Sequence, residues 1–190
     1  MSYQDPSSFA QHTGHEERDE REDVATSAAA PVAEATGFAA LGLAPALARA
    51  VADAGYATPT EVQARALPPA IAGRDLRVAS HTGSGKTAAF VLPALERALA
   101  ARAQRAPRRN GPRVLVLAPT RELVQQVADA AAGYGRHVPG LRIATVVGGV
   151  PYGAQLRALR GPLDLLVATP GRLMDLMGSG RAPLDTVELL

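Results

Sequence analysis

Lys86 is the only lysine among twenty Lys and Arg residues, and it lies in Thr82-Gly83-Ser84-Gly85-Lys86-Thr87. An ammonium is a compact point charge on a slim stem, suited to reaching between the oxygens of a polyphosphate where a planar guanidinium would not fit. Gly83 and Gly85 lack a Cβ, so the backbone can curl around an anion and aim successive N–H groups at it. A helix starting near Lys86 adds free N–H groups and a positive dipole end. Thr87 then offers its hydroxyl to the Mg²⁺ that accompanies a nucleotide. The segment reads as a phosphate-binding loop for a nucleoside triphosphate. The first glycine of the general G-x-x-x-x-G-K-[ST] pattern would fall at Ser80, so the match is incomplete.

Three further segments carry the equipment for holding a phosphodiester backbone: helix starts with small residues, hydroxyls or arginine. They are Pro119-Thr120-Arg121-Glu122-Leu123, Gly148-Gly149 and Thr169-Pro170-Gly171-Arg172. Each alone is equally an N-capped helix start, a tight turn, or a turn leading into a helix. Each follows an apolar run, however, and together they suggest one rim.

The elements that must position these loops follow from periodicity. Leu41 to Ala54 has helical spacing and stops at Gly55. Thr60 can cap a second helix through Ile71, with Pro68-Pro69 bending or shortening it. Leu76-Arg77-Val78-Ala79 suits a short buried strand leading into the phosphate loop, and a helix from Thr87 to about Arg102 leaves it. Then Val114–Leu117 reads as a strand, 120–132 as a helix, Ile143 to Val147 as a strand, Gly153 to Leu159 as a short helix, and Leu163 to Ala168 as a strand interrupted by Asp164. Alternating strands and helices with short connections imply an α/β fold with a parallel sheet covered on both faces, and ligands gather at the carboxyl ends of such strands.

Composition narrows the class. With 190 residues and 47% apolar content the chain can fill one core. Zero cysteines exclude disulfides, thiolate metal sites and a cysteine nucleophile. No apolar run approaches the roughly 18 residues of a membrane span, and the start lacks a charged-then-apolar leader, so a cytoplasmic chain is expected. The net charge of +2 hides an asymmetry: residues 1–35 carry eight acids and two arginines, so an acidic tail precedes a basic body. The tail's composition predicts disorder, with a partner-binding or autoinhibitory arm as the alternative. The body's excess arginine suits a polyanion. The stretch holding Arg97, Arg102, Arg105, Arg108, Arg109 and Arg113 is either a basic loop that adds salt-dependent affinity or a solvated connection.

Taken in order, these segments resemble the amino-terminal RecA-like domain of a DEAD-box ATP-dependent RNA helicase. Gly55-Tyr56-Ala57-Thr58-Pro59-Thr60-Glu61-Val62-Gln63 resembles that family's Q motif, and Phe38 falls at its isolated upstream aromatic. A glutamine amide donates and accepts together, which distinguishes adenine from guanine by hydrogen-bond polarity, while an aromatic ring can stack on the base. The resemblance implies that Phe38, Tyr56 and Gln63 serve the nucleotide base, and that Thr82, Gly83, Ser84, Gly85, Lys86 and Thr87 serve ATP and Mg²⁺. It further implies that Pro119, Thr120, Arg121, Gly148, Gly149, Thr169, Pro170, Gly171 and Arg172 track RNA without reading sequence. Domains are expected as the tail at 1–35, a Q-motif region at 36–64, and a partial RecA-like domain at 65–190. Ser80-His81 stands where the family has Ala-Gln.

In the family, the Asp-Glu-Ala-Asp box follows the segment matching Leu189-Leu190, and a second RecA-like domain follows later. The 190 residues end before either. Phosphoryl transfer depends on positioning and electrostatics, so these residues alone are expected to bind ligands rather than catalyse. They are also expected to be poorly stable, with unpaired strand edges. Two other readings compete: a catalytically dead binding module, and a different P-loop enzyme.

Overall fold

The computed structural model describes residues 37–104 and 110–190. The acidic tail and Arg105, Arg108 and Arg109 lie outside the described residues. A 3₁₀ turn at Ala39–Leu41 precedes α1 (Pro45–Asp53), α2 (Glu61–Ile71) and α3 (Lys86–Ala103). Then come β1 (Gly111–Leu117), α4 (Arg121–Tyr134), β2 (Ile143–Val146), α5 (Tyr152–Ala158), β3 (Pro162–Ala168) and α6 (Pro170–Gly178).

The three strands form a parallel sheet in the order β1-β3-β2. Alternation along each strand fills two cores. Val114, Leu165 and Val167 face α3, α4 and the α1–α2 layer, where Leu47, Leu67, Leu92 and Val124 are buried. Leu115, Val146 and Leu166 face α5 and α6, where Leu159, Leu173 and Leu176 close the second layer. Both sheet faces are therefore covered, as an all-parallel sheet requires.

The helices start where their caps dictate. Thr60 caps α2 in a reciprocal capping box with Gln63, and the Thr120 side chain accepts from the Leu123 N–H to cap α4. The apolar stretch from Leu41 does not form one helix: Gly42 adopts a left-handed conformation and α1 begins at Pro45. Pro68 and Pro69 lie inside α2 rather than ending it. The carbonyls they leave without helical partners belong to Ala64 and Arg65, both exposed, so water can satisfy them.

One expected strand is absent. Leu76 to Ala79 forms no ladder, and Leu76 and Val78 are each 44% exposed. A strand needs a partner edge, and the free side of β1 bonds instead to the chain near its carboxyl end. Glu188 N donates to Arg113 O, Leu115 N donates to Leu189 O, and Val114 bridges Leu189 in parallel.

Asp164, which reads in sequence as an interruption of β3, is 4% exposed. Arg102 from α3 meets its carboxylate through two guanidinium nitrogens, the Nε to Oδ1 distance being 3.2 Å, and the Arg142 N–H donates to it at 2.8 Å. The same guanidinium donates to the Pro139 and Gly140 carbonyls, each at 2.7 Å. This buried charge is paired and hydrogen-bonded, the condition under which burial is tolerated. It locks the amino ends of β2 and β3 to the end of α3.

Candidate nucleotide site and nucleic-acid rim

The phosphate loop lies at the amino end of α3. Gly85, the residue before the helix, has φ +88°, a left-handed conformation that favours glycine. A side chain there would also collide with the Gln63 amide, since a Cβ would lie 3.1 Å from its Cδ. No side chain caps α3, so its first-turn N–H groups remain available to an anion. Lys86 Nζ donates to Ser80 O at 2.7 Å, to His81 O, and to Ser84 Oγ at 3.4 Å, while Ser84 Oγ donates to His81 O at 2.8 Å. These are neutral acceptors. Anionic phosphate oxygens form stronger charge-assisted bonds to the same ammonium. The bare glycine cradle, the uncapped helix start and the inward ammonium fit a triphosphate, and Thr87 in the first turn has the hydroxyl that fits its Mg²⁺.

Gln63 joins this loop from α2. It is 1% exposed; its Oε1 accepts from the Thr60 N–H at 2.9 Å and its Nε2 donates to Gly85 O at 3.1 Å. Thr60 Oγ1 donates to Ser84 O at 2.9 Å. A glutamine amide has two donors and two lone pairs, so one of each remains after these bonds. The two aromatics sit elsewhere. Phe38 is 5% exposed within the core around Leu43 and Leu67. Tyr56 is exposed and meets Tyr134 edge to face at 6.3 Å between ring centroids. Burial, and then Tyr56, pushes the Tyr134 phenol up to about 12. Thr82 and Gly83 are exposed at the loop tip.

The rim loops converge because the strands are parallel and end together: Leu117 pairs with Ala168, and Ala168 with Val146. Arg121, after β1, lies against Gly149, after β2. Gly149 has φ +80°, and a Cβ there would sit 2.7 Å from Arg121 Cζ. Arg172, after β3, donates from Nη1 to Val150 O at 3.0 Å, and its guanidinium stacks 4.5 Å above the Tyr152 ring centroid. Pro119, Thr120, Pro170 and Gly171 are exposed beside them, and Thr169 and Gly148 are half-buried. Lys86 and Thr87 line the same groove as the Leu117–Pro119 end of β1, so the phosphate loop adjoins this rim.

Sequence reasoning missed two features of the rim. Gln155, a buried glutamine on α5, bonds to Val147 and Val150 on either side of Gly148-Gly149; only its polarity on a short apolar helix could have flagged it. Tyr152 as the seat of Arg172 had no local signal. Of the basic stretch, three members are committed to ion pairs. Arg97 Nε donates to Glu188 at 2.9 Å, Arg113 pairs with the other oxygen of Glu188, and Arg102 holds Asp164.

Comparison with known proteins accords with this arrangement. Residues 60–190 match the family model described as DEAD/DEAH box helicase. The chain is 44% identical to the DEAD-box ATP-dependent RNA helicase 52A of Oryza sativa subsp. japonica, over 82% of this chain and 27% of that protein. It is 43% identical to the ATP-dependent RNA helicase DeaD of Escherichia coli K12, over 79% of this chain and 23% of that protein. Among solved structures, the RNA-helicase Prp28 from Chaetomium thermophilum bound to ADP superposes with a TM-score of 0.69 at 37% identity, covering 82% of this chain and 38% of that one. A hypothetical ATP-dependent RNA helicase from Sulfolobus tokodaii gives a TM-score of 0.64 at 37% identity, over 76% and 40%. The chain spans about a quarter of the length of the curated relatives it matches. The α/β architecture expected from the sequence is thus RecA-like. With the glycine cradle, Gln63 and the three-loop rim lying inside or beside the matched span, the chain belongs to the DEAD/DEAH box helicase family.

Proposed function

We propose that this chain is the ATP- and RNA-binding portion of an ATP-dependent RNA helicase, an ATP hydrolase that locally separates RNA duplexes. The observation that carries this reading is the link between α2 and the phosphate loop: Gln63 and Thr60 hold the carbonyls of Gly85 and Ser84. A residue type that reads adenine is thereby coupled to the residues that hold phosphate. Lys86 and the α3 amides bind the triphosphate, Thr87 meets Mg²⁺, and Gln63 reads adenine. Pro119, Thr120, Arg121, Gly148, Gly149, Thr169, Pro170, Gly171 and Arg172 form the RNA rim. Contacts to phosphate and ribose carry no base code, so binding is sequence-independent.

Catalysis on this reading needs groups supplied by a second RecA-like domain, the partner that completes the site. Among the described residues no helix is long and apolar enough to cross a membrane. A cytoplasmic setting goes with RNA as substrate. The test is binding of Mg²⁺–ATP by calorimetry and of a labelled single-stranded RNA by anisotropy. Lys86→Ala should weaken the first about ten- to hundredfold, the scale of one bond to a charged group. Arg121→Gln should weaken the second. Unchanged affinities in both variants would overturn the reading.

A further inference from the structure

Gln155 lies on the seven-residue α5, is 3% exposed, and commits its amide to the loop after β2. Oε1 accepts from the Val147 N–H at 3.1 Å, and Nε2 donates to Val147 O at 3.0 Å and to Val150 O at 2.9 Å. Three bonds from one side chain thus anchor the residues on both sides of Gly148 and Gly149. The Val150 carbonyl takes a second donor, Arg172 Nη1 at 3.0 Å. That arginine side chain is only 14% exposed, held between the Tyr152 ring and the Val150 carbonyl.

A Gly-Gly pair left to itself samples many backbone conformations and would have to be ordered when a ligand binds. Here the ordering is built in before any ligand arrives. The glycines themselves stay clear of Gln155 and open toward Arg121. We propose that Gln155 is a positioning residue for nucleic acid, which presets the Gly148-Gly149 backbone so that its peptide groups meet a phosphodiester, with Arg172 acting through the same Val150 carbonyl. This rests on the RNA-binding reading above. Gln155 touches no RNA; its effect passes entirely through the loop.

The experiment compares the 190-residue chain with Gln155→Glu and Gln155→Met. The glutamate keeps shape and acceptor but, when ionised, cannot donate to Val147 and Val150; the methionine keeps volume alone. Affinity for a fluorescein-labelled single-stranded oligouridylate is measured across salt, and affinity for a fluorescent ATP analogue with Mg²⁺ is measured beside it. The expected result is a loss of RNA affinity of tenfold or more, with an unchanged salt slope for the neutral Gln155→Met because peptide N–H groups release no counterions, and nucleotide affinity within twofold of the parent. Variants that bind RNA within twofold of the parent, or that lose RNA and nucleotide together, would overturn the proposal. Should neither variant fold, hydrogen exchange of the unaltered chain decides: a slowly exchanging Val147 amide supports the clamp and a fast one removes it. Arg121→Gln is run in parallel. If it weakens RNA binding while the Gln155 variants do not, only this proposal fails; if the parent chain does not bind the oligouridylate, the RNA reading fails with it.

Discussion

The Gln63 side-chain amide and the Gly85 carbonyl are joined by a 3.1 Å hydrogen bond, and the same amide closes the capping box of α2 through Thr60. One side chain therefore ends a helix, braces the phosphate loop and carries the chemistry to read a purine. Any change at Gln63 acts on all three.

For Gln63→Ala the expected outcome is a loss of ATP affinity of about tenfold or more, about 1.4 kcal/mol, with a smaller loss for GTP. The loss of the Gln63 half of the capping box should also lower stability by about 0.5–1.5 kcal/mol, the scale of one hydrogen bond. Paired calorimetric titrations with the two nucleotides, alongside a urea melt, check both effects. Equal losses for ATP and GTP would refute the adenine role and leave Gln63 as a brace alone.

Asp164→Ala should destabilise the chain by about 3–5 kcal/mol, because it leaves the Arg102 guanidinium facing a buried site without its carboxylate. Arg102→Ala should act in the same direction. Since the two groups share one network, the double variant should cost less than the sum of the singles. Chemical denaturation of the four chains measures the coupling, and simple additivity would mean that the fork contributes nothing of its own.

Two carboxylates give opposite pH dependences. The His137 ring nitrogen, 2.6 Å from Asp53, holds that carboxyl below its ordinary value, with Arg136 and Arg49 adding to the effect. Its contribution is present above about pH 4 and is lost as pH falls through the lowered value, so Asp53→Asn should flatten the acid limb of the stability curve. Burial pushes Glu96 up, against the opposing hydrogen bond from the Ala44 N–H. A raised carboxyl penalises the folded state above its pKa and ceases to do so once protonated in both states. Glu96→Gln should therefore melt higher than the parent at pH 7, and the gap should close as pH falls toward the ordinary glutamate value. A constant gap across that window would show that Glu96 titrates normally.

Leu76, Val78, Phe90, Leu117 and Leu123 are exposed large apolar side chains that line one groove of about 560 Å³ between α3, β1 and the 74–78 segment. An exposed apolar surface of this kind promotes association. The 190-residue chain is expected to self-associate on warming, and Phe90→Ser to reduce light scattering. A sharp, concentration-independent melt of the parent chain would contradict this.

The glycine-rich turn before α3, the Thr60 and Thr120 caps, the three paired strands and the order of rim loops could all be read in sequence. Each is written in residues a few positions apart, where backbone freedom and apolar period act directly. Their meeting on one rim also followed, because parallel strands must end on the same side. What sequence could not settle depends on partners far along the chain. Arg102 and Asp164 are 62 positions apart, and Arg97 and Glu188 are 91 apart. So Arg97, Arg102 and Arg113, the described members of the basic stretch, form ion pairs, and an acid that reads as an interruption becomes a buried anchor. Leu76 to Ala79 has the composition of a strand, yet β1 bonds to Leu189, and a strand without a ladder is only an extended segment. Gln155 and Tyr152 gain their roles only once α5 packs beside β2 and α6. Local chemistry named the loops; the tertiary structure decided which polar side chains are free to meet a ligand and which are committed to the fold, since burial and pairing are properties of the assembled chain.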